Sequence, residues 1–275
     1  MNNTELKEIE LICKRIRREI IEMIYTAKSG HPGGNLSSVE IITTLFKKCM
    51  NHYPDWNNNS DFEKRDRFIL SKGHASAALY AVMAECGYFP KSELNTFRKF
   101  GSKLQGHPSC RLLKGIEVST GSLGQGLSMA NGTALALKID KNPANVYVYL
   151  GDGELQEGNI WEAAMAASHY KLSNLTAFID FNGLQIDGRT CNIMNLGDIS
   201  KKFEAFGWDT ITIDGHNIEE IINAVNIAKL NKKPTAVIAK TIKGKGVSFM
   251  ENQAGWHGKA PNKEEFEIAM KELKD

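Results

Sequence analysis

The sequence has no CxxC pair. Its five cysteines, Cys13, Cys49, Cys86, Cys110 and Cys191, are odd in number and widely spread over 275 residues. A disulfide framework and a cysteine-based zinc site are therefore excluded as organising features, and reduced thiols in a cytoplasm are expected. Long apolar runs are also missing. Nothing approaches the ~20 residues that span a bilayer, and the polar start, MNNTELKEIELICKRIRREI, holds no secretory core, so no membrane partner is expected. Charge of one sign is lacking too: 34 Lys and Arg face 32 Asp and Glu, a formal +2, with no basic stripe. Nucleic acid is accordingly not an expected partner. No HExxH, no His-x₃₋₅-His pair, no internal repeat and no low-complexity tract occurs.

What is present centres on Tyr147–Gly188. Asn145–Leu150 reads as a buried strand, Asn159–His169 as a helix and Leu175–Phe181 as a second apolar strand. Parallel strands joined by a helix bring their carboxyl ends to one edge, where ligands of such folds bind. Gly151-Asp152-Gly153 and Asn182 lie just beyond those ends. A carboxylate, an amide oxygen and two glycines could meet there, a set of hard oxygens suited to Mg²⁺ completed by phosphate oxygens. Spacing alone leaves plainer readings open. Asn182-Gly183 is also a hairpin-turn signal, and Gly151-Asp152-Gly153 could be a dinucleotide-binding turn, although the third fingerprint position is Gln156. An EF-hand reading of Asp180 and Asn182 fails for want of the required Gly and Glu.

Along the chain, Thr4–Ser29 reads as an amphipathic helix with Leu6, Ile9, Ile16, Ile20 and Ile24 inward and Lys14, Arg15, Arg17 and Arg18 on a solvated face. Ser37-Ser38-Val39-Glu40 resembles a cap into a helix reaching Cys49, Tyr53–Asp66 is a polar loop, and Arg67–Ser71 is a short strand. Helices are expected at Ala75–Cys86, Lys91–Lys99 and Leu127–Lys138, with a long loop at Gly101–Ser119. Later, Ile199–Phe206, Asn217–Leu230 and Lys263–Lys274 read as helices, and Trp208–Ile213 and Pro234–Lys240 as strands. The alternation implies an α/β fold, a mainly parallel sheet with helices on both faces, in a single domain over residues 1–275.

Four of the seven histidines share one setting, where a glycine-bearing loop meets an element: Gly30-His31-Pro32, Gly73-His74-Ala75, Gly106-His107-Pro108 and Trp256-His257-Gly258. Imidazoles so placed can donate to phosphate and hydroxyl oxygens or relay protons near neutral pH. His52, His169 and His216 lack such a context and read as ordinary.

These motifs together resemble the N-terminal, diphosphate-binding part of transketolases. Gly151-Asp152-Gly153 followed by Asn182 is similar to the signature of thiamine diphosphate enzymes. Ser29-Gly30-His31-Pro32-Gly33, Asp66 to His74 (DRFILSKGH), Gln105-Gly106-His107-Pro108 and Thr120 to Gly126 (TGSLGQG) narrow the resemblance to transketolases, over nearly the whole chain.

The resemblance implies roles. Asp152, the Asn182 side chain and the Leu184 carbonyl match ligands of a divalent cation, Mg²⁺ or alternatively Ca²⁺ or Mn²⁺, that bridges the diphosphate of thiamine diphosphate. Gly153 matches a backbone contact to that diphosphate, and His74 and His257 match histidines near it and the reactive carbon. His31 and His107 match histidines that bind donor-sugar hydroxyls and assist proton transfer, while Gly121 and Leu123 match backbone groups facing the aminopyrimidine. Glu157 resembles an interface acid linked to the partner's catalytic glutamate.

Transketolases generally continue into pyrimidine-binding and C-terminal domains, for which nothing after Lys240 is long enough. The resemblance thus implies a split enzyme whose C-terminal half is a separate chain carrying the catalytic glutamate, assembled as two copies of each. The implied reaction is ketol transfer between sugar phosphates, as in the pentose phosphate pathway. A specialised sugar or sulfosugar is the alternative substrate, and a non-catalytic cofactor-binding or regulatory module is the alternative of another class.

Overall fold

The computed structural model describes residues 1–54 and 61–274; part of the loop expected at Tyr53–Asp66 lies outside them. Helix α1 (Asn3–Ala27) opens with a capping box: Asn2 Oδ1 accepts from the Glu5 amide and the Glu5 carboxylate accepts from the Asn2 amide. Its isoleucines fall on the buried stripe as expected. Arg17 does not stay on the solvated face. It is 7% exposed, paired with Glu40, because α3 packs against that side of α1.

A short helix not expected from the sequence, α2 (Pro32–Leu36), starts with proline in its first turn. Helix α3 (Val39–Thr44) continues as a π turn over Leu45–Cys49. Ser37 and Ser38 do not cap α3: the Ser38 hydroxyl donates to the Gly34 carbonyl, and Ser37 donates to Asp180. Strand β1 (Arg67–Leu70) and helix α4 (Ser76–Glu85) fall where expected, whereas the helix expected at Lys91–Lys99 is a 3₁₀ helix, Lys91–Thr96. Then come α5 (Gln125–Ile139), β2 (Val146–Gly151), α6 (Gly158–His169) and β3 (Leu175–Phe181). A small antiparallel hairpin, β4 (Leu184–Gln185) and β5 (Gly188–Arg189), follows Asn182-Gly183, which is therefore its entry and not its turn. The chain continues through α7 (Thr190–Ile193), α8 (Ile199–Ala205), β6 (Asp209–Asp214), α9 (Ile218–Leu230), β7 (Thr235–Lys240) and α10 (Lys263–Glu272).

The five long strands form one parallel sheet in the order β1-β2-β3-β7-β6. Alternate residues of β2 serve opposite layers. Tyr147 and Tyr149 pack with α1, α3, α4 and α9, while Val146, Val148 and Leu150 pack with α5, α6 and α8. Burial on both faces is why β2 and β3 read as apolar runs, whereas β6, at the sheet's edge, is largely half-buried. The chain leaves β1 toward α4 in the first layer and β2 toward α6 in the second. Exits to opposite sides open a crevice beyond the strand carboxyl ends.

Close approach at this edge is tested by one glycine. A Cβ at Gly126, in the first turn of α5, would lie 2.7 Å from the Ser71 Cα, whereas one at Gly132 would meet nothing within 4 Å. Gly126→Ala should lower stability to urea by about 1–3 kcal/mol. Gly132→Ala, on the same helix, should be neutral or raise it by up to ~1 kcal/mol.

Candidate active site

A buried ion pair lies at the centre of the crevice. Asp180, near the end of β3, is fully buried, and Lys72, just past β1, is 1% exposed. The Lys72 ammonium donates to Asp180, to the Gly34 carbonyl at 3.1 Å and to Ser38 Oγ at 3.2 Å, so its three hydrogens are all engaged. Asp180 also accepts from Ser37 Oγ (2.7 Å), Thr241 Oγ1 and Asn182 Nδ2 (3.1 Å). Burial works to raise the Asp180 pKa, yet these donors hold it below the usual carboxylate value.

That pair fixes the oxygens beside it. With its amide nitrogen tied to Asp180, the Asn182 Oδ1 accepts from the Leu184 amide at 3.1 Å. The Asp152 carboxylate accepts from the amides of Gly153 (2.7 Å) and Gly183 (2.6 Å). Burial, and then the nearby Asp180, push the Asp152 carboxyl up to about 6. Lys243 Nζ rests on the Leu184 carbonyl at 3.3 Å and against His257 Nδ1 at 3.1 Å, which leaves one donor free. Burial and Lys72 lower Lys243 to about 8. Among the described residues no three His, Cys, Asp or Glu side chains are arranged to hold a metal. The residues nonetheless fit a hard cation: the wall already seats an ammonium on a carbonyl, and one carboxylate, one amide oxygen and that carbonyl leave positions for phosphate or water oxygens.

These groups line a cavity of about 210 Å³. Asp152, Gly153, Asn182, Leu184, Leu123, Glu157, His74, His257 and Lys243 all line it. His31 and His107 adjoin it, with ring centroids 5.4 Å (His31–His74), 5.5 Å (His31–His257) and 6.3 Å (His31–His107) apart. Gly121 packs on His107, where a Cβ would lie 3.1 Å from the ring. Every expected site residue is thus drawn to this one region. A larger groove of about 630 Å³ shares Asn182 and Leu184 but is lined by no buried charge among the described residues, and we place the chemistry in the smaller cavity.

The histidines are held neutral. Burial, then Arg98, lowers His31 to about 4; burial, then Lys243, lowers His257 to about 3. Burial, then Lys72, holds His74 well below the ordinary value, and burial, then Arg98, lowers His107.

Several residues of this apparatus were not singled out from the sequence: Asn35, Lys72, Arg98, Glu154, Asp180 and Lys243. Asn35 joins the two histidine loops, donating to the carbonyls of His31 (2.7 Å) and His74 (3.1 Å) while accepting from the Ala78 amide. Glu154, 2% exposed, accepts from Ser71 Oγ and from the amides of Gly124 (2.8 Å) and Gly151 (2.9 Å), tying the ends of β1 and β2 to the start of α5. A charged residue directly at the end of an apolar strand, as at Lys72 and Asp180, was the available signal. His216 is not ordinary either: its Nδ1 contacts Glu40 at 2.8 Å and its Nε2 accepts from the Ile242 amide at 2.8 Å, anchoring the loop that carries Lys243.

Fold and cavity together define an open α/β domain that takes an anionic cofactor at the strand carboxyl ends. Residues 9–274 match the family described as transketolase, thiamine diphosphate binding domain. An apulose-4-phosphate transketolase subunit of Phocaeicola vulgatus is 43% identical over 272 residues, covering 98% of this chain and 95% of that one. The 6-deoxy-6-sulfo-D-fructose transketolase subunit SqwG of Clostridium sp. is 44% identical over 259 residues, covering 94% and 93%. The crystal structure of Campylobacter jejuni transketolase superposes with a TM-score of 0.89 at 34% identity, covering 99% of this chain and 43% of that chain. The chain belongs to the transketolase family as a thiamine diphosphate binding N-terminal part, and the class of enzyme expected from the motifs, a transferase, stands.

Two outcomes follow from the site. Lys72→Met leaves Asp180 buried without its counter-charge and should cost about 3–5 kcal/mol in denaturant unfolding. The double change Lys72→Met with Asp180→Asn should recover part of that loss. For the histidines, folded pKa values of about 4 (His31) and about 3 (His257) lie below the ordinary 6.5, so the unfolded chain binds more protons in that window. These histidines should therefore lower the stability of the cofactor-free chain as pH drops from 6.5 toward 4, with Asp152, raised to about 6, offsetting part of the fall, and thermal melts across that range would show the net loss. Replacing His31 and His257 with Gln should flatten the slope.

Proposed function

We propose that this chain is the diphosphate-binding half of a split transketolase that transfers a two-carbon ketol unit from a ketose phosphate to an aldose phosphate. In this reading residues 1–275 form a single cofactor-binding domain. A second polypeptide brings the pyrimidine-binding and C-terminal domains and the catalytic glutamate, two copies of each chain making the assembly. The observation that carries the reading is the cavity at the strand ends, where Asp152, Asn182 and Leu184 oxygens face Lys243 and its free donor beside four neutral histidines. The two relatives named as transketolase subunits, matched over nearly their whole length, support the division into two chains.

When bound, thiamine diphosphate supplies the carbon that accepts and passes on the ketol unit. The chain's own residues place and hold. Asp152, Asn182 Oδ1 and the Leu184 carbonyl bind the divalent metal, Mg²⁺ or, in its place, Ca²⁺ or Mn²⁺, and Gly153 lets the backbone approach the diphosphate. Lys72 is saturated within the protein, so Lys243 is the ammonium that meets phosphate oxygens, and such an anion restores the charge that burial disfavours. His74 and His257 flank the reacting centre, and His31 and His107 orient the donor-sugar hydroxyls so that attack is directed. Gly121 and Leu123 offer backbone groups to the aminopyrimidine. Glu157, in the cavity lining, reaches toward the partner's glutamate. The location is cytoplasmic in this reading; among the described residues no helix is long and apolar enough to cross a membrane.

A second reading concerns only the substrate. Relatives named for apulose 4-phosphate and 6-deoxy-6-sulfo-D-fructose support a specialised donor, beside relatives named simply as transketolases.

The test is calorimetry of thiamine diphosphate with Mg²⁺ against this chain alone and mixed with its partner, followed by ketol-transfer assays with pentose, apulose and sulfofructose substrates. Tight binding, with turnover in the mixture, is expected. Asp152→Ala should weaken cofactor retention by at least about 10–100-fold. Undiminished retention in that variant would overturn the metal–diphosphate assignment.

A further inference from the structure

Arg98 follows the 3₁₀ helix Lys91–Thr96 and sits in left-handed backbone, φ +59°, a region that side-chain-bearing residues rarely adopt. The Arg98 amide donates to the Leu104 carbonyl at 2.8 Å, which holds this conformation. From there the guanidinium reaches the histidine cluster. Nη1 donates to Ser29 Oγ at 3.0 Å, and Nη2 contacts His31 Nδ1 at 3.3 Å and the Gly106 carbonyl at 3.5 Å. The absence of a side chain at Gly106 makes the room, since a Cβ there would lie 2.7 Å from the guanidinium carbon. The Arg98 Nε is buried without a partner among the described residues, and besides burial the group acting on the charge is the Tyr80 hydroxyl.

A guanidinium only donates and remains charged at any working pH. Its contact with His31 Nδ1 therefore makes that nitrogen the acceptor, and the single ring proton belongs on Nε2. We propose that Arg98 is a positioning residue that locks His31 as the neutral Nε2–H tautomer, so that His31 meets a donor-sugar oxygen as a hydrogen-bond donor and not as a base. The substrate clause rests on the functional reading given above; the lock itself does not.

The surroundings agree. The titratable and charged groups facing His31 among the described residues are Arg98, His74, His107, Lys243 and His257, and none is a carboxylate that would stabilise an imidazolium. Lys243 treats His257 in the same way, with its ammonium at 3.1 Å from Nδ1. Two rings from opposite ends of the sequence thus present Nε2–H, each backed by a cation. Burial together with Arg98 keeps His31 from gaining a second proton until about pH 4.

The test has two arms. Long-range ¹H–¹⁵N spectra of the labelled chain at neutral pH, with His31 assigned by its loss in His31→Gln, should show Nε2 protonated and Nδ1 bare. In Arg98→Gly, a residue at home in left-handed backbone, the His31 signals should report a mixture of tautomers; Arg98→Lys, which keeps a cation, should retain the lock. In the complex with the partner chain, Arg98→Gly should move the acid limb of kcat/KM for the ketose donor upward by about one pH unit, with cofactor affinity unchanged. A mixed or Nδ1–H tautomer in the wild-type chain, or an unchanged tautomer and pH profile in Arg98→Gly, would overturn the proposal. A locked tautomer that Arg98→Gly releases, in an assembly that transfers no ketol unit from any donor, would support the lock and overturn the functional reading.

Discussion

The Lys72–Asp180 pair is the interaction on which the site depends. An ion pair this deeply buried gains little net stability, because desolvation of both charges offsets their attraction. Its contribution is placement. Lys72 ties the end of β1 to the Gly34 carbonyl and the Ser38 hydroxyl, and Asp180 collects donors from Ser37, Asn182 and Thr241. Segments far apart in sequence are thereby held at one point, and the Asn182 side chain, its amide nitrogen tied to Asp180, takes its position from it.

Around that anchor the protein arranges charge with economy. A lysine and an arginine occupy the Nδ1 side of two histidines, so the rings stay neutral and serve as directed donors, while the remaining free ammonium hydrogen on Lys243 faces the cavity. Neutral imidazoles beside cations suit a ligand that brings its own negative charge. The same rings beside carboxylates would instead be drawn toward imidazolium. Backbone positions finish the work: Gly34 eases the approach of His74, and Gly106 admits Arg98.

Much of this was legible in the sequence where one residue's type and position sufficed. Doubly buried strands announced themselves as apolar runs, and Asp152, Asn182 and the four loop histidines stood out by their place beside glycines, although plain turns explained Asp152 and Asn182 as well and only the combined motifs decided between them. What could not be read depends on pairing across the fold. Arg17 looked like one of four surface cations until Glu40 is seen against it. Ser37 and Ser38 looked like caps because Ser38 turns back to the Gly34 carbonyl four residues earlier, in a helix the sequence did not announce, and the acceptor of Ser37, Asp180, is supplied by tertiary structure. His216 and Lys243 carry no local signature; their roles exist only once α3, β6 and the loop after β7 converge. The Asn182-Gly183 signal was real as a turn and mistaken in place, since the hairpin it announces begins two residues later.

The wall of the cavity is drawn from both ends of the chain. Gly34 and His31 come early, Asp152 and Asn182 from the middle, and Lys243 and His257 late, with the Lys243 loop fastened through His216 and Glu40 back to Arg17 on the first helix. A cavity so composed needs segments from Gly34 to His257 in place together, so no contiguous stretch of the middle of the chain forms it alone. A cut anywhere between Gly34 and Lys243 would divide the groups that line the cavity.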